Sequence, residues 1–313
     1  MVGVEMSDVH VVVGAGPVGQ ATARLLVERD EVLLASRSGK GPEVPGVRRV
    51  AVDAADSEAL SGLVDGSVAL YNCVNPPSYT QWQQLWPPVA AAMLTAAERS
   101  GAVLAITGNL YPYGPVDVPM TEDLPDAATG PKAALRGRIW ADALAAHEQG
   151  RLRAVEVRGS DYLGPQVDQA HVPVVAPKAL AGKPVRVFGD PDAPHSMTDV
   201  RDMARALVAV AGAPDAHGRV WHAPTNPARS QAETVADVCR VVGREPVRVR
   251  SWPTLLLSAG GAVVPFLREM RETVYQFQRP YVLDSSAIEE AFGLTPTPWE
   301  EVCRATAEHA LAT

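Results

Sequence analysis

The chain has 313 residues, of which 47% are apolar and 20% charged, and its formal net charge is -8. That is more than one hydrophobic core usually spans, so a larger and a smaller domain are expected, and the acidic balance argues against nucleic acid as a partner. The first residues, Met-Val-Gly-Val-Glu-Met-Ser-Asp, carry acids where an export signal carries basic residues, and the longest apolar run, Leu255 to Leu267, is short and broken by Ser258, Gly260, Gly261 and Pro265. The reading is therefore a cytoplasmic protein with no membrane span, with that run as core or pocket wall. Cys73, Cys239 and Cys303 are odd in number, far apart and without histidines at ligand spacing, so they read as buried apolar residues rather than disulfide or zinc ligands.

Short β-branched runs alternate with helical patterns through the first half of the chain. Strands are expected at Val9–Val13, Val32–Ala35, Val47–Val52, Val68–Cys73, Val103–Thr107 and Ala154–Arg158. Helices are expected between them at Val18–Arg29, Ser57–Val64, Trp82–Ser100 and Pro131–Gln149, the last with Pro131 in its first turn and Gly150 just past its end. This alternation is that of an α/β doubly wound Rossmann sheet with helices on both faces. After Gly164-Pro165 the alternation weakens. The expected division is a dinucleotide-binding domain over 1–165, joined again by 185–212, and a smaller α/β substrate domain made mainly of 166–313. Ser230 with Glu233 and Thr297 with Glu300 have capping-box spacing, and Pro298 sits where a first helical residue is expected.

The first strand runs into Gly14-Ala15-Gly16-Pro17-Val18-Gly19 and then into a helix, so the GxGxxG lies at a strand-to-helix turn. There Gly14 permits the tight turn, Gly16 lets backbone approach a pyrophosphate, and Gly19 lets helix and strand pack closely. The N–H groups near Pro17 and Val18 face the anion. An acid that grips the adenosine ribose is expected roughly twenty residues beyond the first glycine. The chain instead reads Leu34-Ala35-Ser36-Arg37-Ser38, with a hydroxyl and a guanidinium suited to a 2′-phosphate, which favours NADP over NAD. Asp53, after the third strand, either meets the adenine edge or, with Asp56, caps the next helix.

Several further segments resemble the extended short-chain dehydrogenase/reductases, in particular the atypical members of the NAD-dependent epimerase/dehydratase family. They are the glycine turn, Thr107-Gly108-Asn109-Leu110-Tyr111-Pro112-Tyr113-Gly114, Arg158-Gly159-Ser160-Asp161-Tyr162-Leu163-Gly164-Pro165, the acidic loop Met120 to Pro125, Phe188 to Asp202, and the tail Phe292 to Trp299. The resemblance implies a Ser or Thr after the fifth strand and a Tyr-x-x-x-Lys on the next helix. This chain has neither. Aligned on Tyr113-Gly114, Asn109 takes the Ser/Thr place, Lys132 the Tyr place and Arg136 the Lys place.

An amide at Asn109 can donate a hydrogen bond to a substrate oxygen but cannot relay a proton as a hydroxyl does. Arg136 can keep a contact to the nicotinamide ribose, while Lys132, if desolvated beside it, becomes an acid or base; the alternative is that both line a solvated face or bind a substrate carboxylate. Tyr111 is a replacement acid, with Tyr113 a packing residue. By resemblance, Asn72 lies on the cofactor side, and Asn75, Tyr79, Trp82, Tyr162 and His195 on the substrate side, along with Gln166, His171, Met197 and Tyr275. The implied function is an NADP(H)-dependent oxidoreductase acting on a small organic carbonyl or alcohol. The alternatives are an epimerase or dehydratase without net redox, a silent NADP(H) sensor, and non-redox isomerase or lyase chemistry. No metal is expected, and a homodimer is the family habit.

Overall fold

The computed structural model describes residues 7–41, 43–76, 78–253 and 269–313. Its centre is a sheet of β1 (Val9–Val13), β2 (Glu31–Ser36), β3 (Arg48–Ala51), β4 (Ala69–Asn72), β5 (Val103–Asn109), β6 (Arg153–Gly159) and β11 (Val220–His222). The spatial order is β11-β6-β5-β4-β1-β2-β3 and every pairing is parallel. Each of the six expected strands is present, β1 with the expected ends and the others with ends shifted by at most two residues.

The strands are apolar on both faces because helices cover both. Val11, Leu33, Leu70, Leu104 and Ile106 point to one side, where α2 (Ser57–Val64), α3 (Trp82–Ser100) and α4 (Pro131–Glu148) add Leu60, Trp86, Met93, Leu135 and Ile139. Their neighbours Val12, Leu34, Tyr71, Ala105 and Val155 point to the other, against α1 (Pro17–Leu26) and α6 (Val200–Ala211). The period of two thus makes two cores from one sheet. Helix ends follow local chemistry: Asp56 Oδ1 accepts the Ala59 N–H at 3.0 Å to cap α2, and Gly101, at φ 73°, closes α3 in the left-handed region that disfavours a side chain.

The smaller layer holds three short pairings. β7 (Asp161–Leu163) pairs with β10 (Met197–Asp199), β8 (Val185–Val187) with β13 (Val249–Ser251), and β9 (Pro194–His195) antiparallel with β12 (Arg229–Ser230). Around them lie α5 (His171–Leu180), α7 (Gln231–Arg240) and α9 (Trp299–Ala312), while α8 (Ser286–Phe292) packs on β11 of the large sheet. Leu163, Val172, Val185, Met197, Val235 and Val302 share the core of this layer. Later chain comes back to the large sheet over 200–222, with α6 against α1 and β11 on β6, and again where α8 packs on β11, whereas the sequence suggested a return over 185–212. Val185 and Val187 find their partner in β13 instead.

The Ser230–Glu233 capping box forms, each side chain meeting the other residue's backbone N–H. The one expected at Thr297 does not. Thr297 donates its N–H and its hydroxyl to Asp202 Oδ2 and Oδ1 at 2.8 and 2.6 Å, and Pro298 becomes the N-cap of a helix that starts at Trp299. A buried carboxylate on another helix competes successfully for that hydroxyl. The apolar run Leu255–Leu267 lies outside the described residues. The three cysteines are buried and unpaired, and among the described residues no helix is long and apolar enough to cross a membrane.

A side chain at Gly19 would collide with the carbonyl of Gly14, whereas one at Gly16 would meet nothing within 4 Å. Gly19→Ala is expected to cost about 1–3 kcal/mol by overpacking. Gly16→Ala is expected to stay within roughly 0.5 kcal/mol. Urea denaturation midpoints of the two variants check the difference.

Candidate cofactor and substrate cleft

The turn from β1 into α1 is shaped by contacts that only glycine allows. Gly14 sits at φ 110° with its α-carbon against the Cys73 carbonyl, and Gly19 lies on Gly14. Gly16 is the N-cap of α1 and makes no side-chain cap; with Pro17 at the first position, the N–H groups of Val18 and Gly19 form the positive end of the helix beside the exposed Gly16. The space beside Gly16 is open. At the end of β2, Ser36 Oγ donates to the Lys40 carbonyl at 3.3 Å, and Arg37 is exposed with no ion pair among the described residues. Asp53 is exposed and accepts the Ala55 N–H at 3.0 Å, while Asp56 is the residue that caps α2. Asn72, at the end of β4, is buried and accepts the Val74 N–H. An open glycine approach, an uncapped helix end and an exposed arginine beyond the second strand fit a dinucleotide.

The two cations of α4 are placed differently from the sequence reading. Lys132 does not sit free beside Arg136. Its buried Nζ lies 2.6 Å from Glu269 Oε2 and 3.1 Å from both Glu272 Oε2 and the Glu269 carbonyl, so its three N–H donors all have acceptors. Glu272 Oε1 also takes the Lys132 and Ala133 backbone N–H groups, capping α4. These partners are 137 and 140 residues away in sequence, beyond any local pattern. Arg136 is likewise internal. Its Nη2 donates to the Thr107 carbonyl at 2.6 Å and lies 4.0 Å from Glu156 Oε1, its plane stands 4.4 Å over Trp86, and its Nε and Nη1 are buried without an acceptor. Burial lowers its pKa, with Glu156 opposing. No donor of Arg136 reaches open space.

Behind Arg136 lies a network that sequence reasoning missed. Arg158, fully buried, donates to Glu156 Oε2 at 2.8 Å and to both Asp126 oxygens at 2.6 and 2.8 Å, and stacks over Tyr113. Tyr113 in turn bonds His222 Nε2 at 2.8 Å, the packing role foreseen for it. The available signal was Glu156 and Arg158, opposite charges two apart on one face of an otherwise apolar strand.

Half-buried groups gather where β4, β5 and β6 end side by side. Asn109 closes β5, and its Oδ1 accepts the Tyr111 N–H at 3.2 Å, leaving its amide N–H groups for a ligand. Tyr111 and Tyr79 meet hydroxyl to hydroxyl at 2.6 Å. Trp82 stacks on Tyr111, with centroids 6.0 Å apart, and meets Tyr79 edge-on. Burial pushes the Tyr79 phenol up to about 12 and Tyr111 well above its ordinary value. Two residues past β6, Asp161 Oδ2 lies 2.9 Å from His195 Nε2, near enough to pair but off a good hydrogen-bond direction. Burial pushes the Asp161 carboxyl up, yet His171 and His195 outweigh it and hold the group below its ordinary value. His195 Nδ1 faces the Gln276 carbonyl at 3.1 Å.

The other residues expected around the substrate are dispersed. Tyr162 packs on the second core, Met197 lies in the core of the smaller layer, Asn75 is exposed beyond β4, and Gln166 holds φ 64° in a turn. Tyr275 packs edge-on against Tyr281, whose buried hydroxyl has no partner among the described residues. Among the described residues no group of three potential metal ligands occurs.

All seven tyrosines are shifted upwards, burial being the largest cause in each. A phenol raised in the folded state contributes its full stability below the unfolded value of about 10, and that contribution falls as pH climbs above it. Spectrophotometric titration is expected to show next to no phenolate in the native protein at pH 10, with phenolate appearing together with unfolding at higher pH.

Comparisons with known proteins agree with this geometry. Residues 10–223 match the family model described as the NAD dependent epimerase/dehydratase family. No curated protein matches the chain in sequence. Similar solved structures include a dTDP-glucose 4,6-dehydratase from Bacillus anthracis str. Ames in complex with NAD, at 16% identity and TM-score 0.79 over 98% of this chain and 97% of that one. A UDP-N-acetylglucosamine 4-epimerase from Methanobrevibacter ruminantium M1, in complex with UDP-N-acetylmuramic acid, gives 15% identity and TM-score 0.80 over 98% and 99%. A UDP-glucose 4-epimerase from Thermus thermophilus, in complex with NAD, gives 18% and 0.77 over 97% and 99%. The glycine turn, the doubly wound sheet and the matched span together place this chain in the NAD dependent epimerase/dehydratase family, as an enzyme of the nicotinamide-dependent oxidoreductase and epimerase type.

Proposed function

We propose that the chain is an NADP(H)-dependent oxidoreductase interconverting a small organic carbonyl and its alcohol, with Tyr111 as the proton-handling group. The observation that carries this is the Tyr111–Tyr79 hydroxyl pair at the carboxyl ends of β5 and β4, where ligands of doubly wound folds sit. Arg37, without an ion pair among the described residues and next to Ser36, supports a 2′-phosphate. When bound, the nicotinamide supplies or accepts the hydride. The Asn109 amide orients the substrate oxygen, and Tyr111 donates its proton to that oxygen as negative charge develops on it. Tyr79 then passes a proton to Tyr111 through their shared hydrogen bond and takes its own replacement from solvent.

Their raised pKa values suit this direction. Both phenols stay protonated at neutral pH and release a proton only to an oxygen more basic than themselves, such as a forming alkoxide. Lys132 and Arg136 take no part in the proton step on this reading. They fix α4 through Glu269, Glu272 and the Thr107 carbonyl.

The test is NADPH oxidation, followed by absorbance, against a panel of aldehydes and ketones. Tyr111→Phe is expected to lower kcat by about 10²–10⁴-fold with NADPH affinity unchanged, and Tyr79→Phe by less. A Tyr111→Phe variant with wild-type kcat would rule out this proton route. Tight NADPH binding without oxidation by any carbonyl would favour a silent nucleotide sensor.

A further inference from the structure

Asp161 is not needed by the proton step above, yet its carboxylate stands in the cleft with no hydrogen bond from the described residues. It lies two residues beyond β6, beside the strand ends that carry Asn109 and Tyr111. Its side chain is 17% exposed although Oδ2 is sealed, so the exposure belongs to the rest of the carboxylate, and Oδ1 receives no hydrogen bond from the described residues. The sealed oxygen faces His195 Nε2 at 2.9 Å.

His195 is itself fixed on every side. The Gln276 carbonyl takes Nδ1 at 3.1 Å, and the ring is sandwiched between Phe277 (4.9 Å, 14°) and Tyr281 (5.2 Å, 28°). His171 packs on Phe277 at 3.9 Å and adds its field to Asp161. The carboxylate thus faces an imidazole that Gln276, Phe277 and Tyr281 hold in place, and its other oxygen has no hydrogen bond from the described residues. Gly159, two residues before Asp161, pairs with Asn109 across β5 and β6, which brings the carboxylate to the strand ends leading to Asn109 and Tyr111.

We propose that Asp161, positioned by His195, selects the substrate by accepting a hydrogen bond from a hydroxyl next to the reacting carbonyl. A carboxylate is an acceptor only, so its partner must donate. His171 and His195 already stabilise its charge, a setting that suits a neutral hydroxyl better than an ammonium. The imidazole, fixed by Gln276, Phe277 and Tyr281, sets the place of the carboxylate beside it, and a placed acceptor is the condition for discriminating a substrate from its deoxy analogue. The substrate class is a small hydroxy-carbonyl compound. This rests on the oxidoreductase reading for the carbonyl, not for the hydroxyl.

The test separates the two by measuring binding rather than turnover. Calorimetric titration of the full chain, with and without NADP, uses matched ketones that differ only in an adjacent hydroxyl, amine or hydrogen. The hydroxyl member is expected to bind at least tenfold more tightly than the deoxy member. Asp161→Ala should abolish that preference, and the isosteric Asp161→Asn should weaken it while keeping the wild-type thermal midpoint. His195→Asn should reduce the hydroxyl preference several-fold with the affinity for the deoxy ketone unchanged, which loss of packing alone would not do. Equal affinity within each pair, preference for the amine, preference surviving in Asp161→Ala, or no binding of any member would overturn the proposal. Failure of NADPH to bind or to be oxidised would count against the oxidoreductase reading alone.

Discussion

Helix α1 presents its positive end to a ligand only because its first turn rests directly on the loop after β1. Gly19 lies against the Gly14 carbonyl and Gly14 against the Cys73 carbonyl, so a side chain at either position would lift the helix from the sheet. That close seat fixes where the free N–H groups point. It also fixes what must support them: α6, from the second half of the chain, packs on the other side of α1, and the order β1-β4-β5-β6 lays the neighbouring strand ends out as a continuous floor. Ligand groups bound at Gly16 and at Tyr111 would share that floor.

Charge is distributed along the floor according to burial. The cations Lys132, Arg136 and Arg158 are inside, and burying a cation is tolerable only with partners close by. Glu269 and Glu272 serve the first, Thr107 O and Glu156 the second, Glu156 and Asp126 the third. Lys132 and Arg136, expected from the resemblance at the family's Tyr and Lys places, are internal supports. The groups left half-exposed are an amide, two phenols and a carboxylate, and the proposed chemistry is assigned to them for that reason.

Much of this architecture was legible in the sequence because it is local. β-branched runs bounded by turn residues set β1 to β6, and the GxGxxG at a strand-to-helix turn marks α1. Ser230 and Glu233 cap α7 with atoms only three residues apart. What was not legible is non-local. Thr297 has capping spacing but bonds Asp202, Lys132 meets carboxylates about 140 residues on, and β7 to β10, β12 and β13 are two or three residues long, too short for a period to register. Asp161 was in plain view in the segment after β6, but nothing in the sequence joins it to His195. That contact exists only because β7 pairs with β10, which opposes Asp161 with Met197, two residues past His195, next to the turn holding Gln276.

The most direct measurement is a fluorescence titration of the purified chain with NADPH and with NADH, repeated with Arg37→Ala. The account predicts micromolar NADPH binding, weaker NADH binding, and loss of the difference in Arg37→Ala. Absence of binding by either nucleotide would contradict it, and equal binding of both would remove the 2′-phosphate from the account while leaving the dinucleotide.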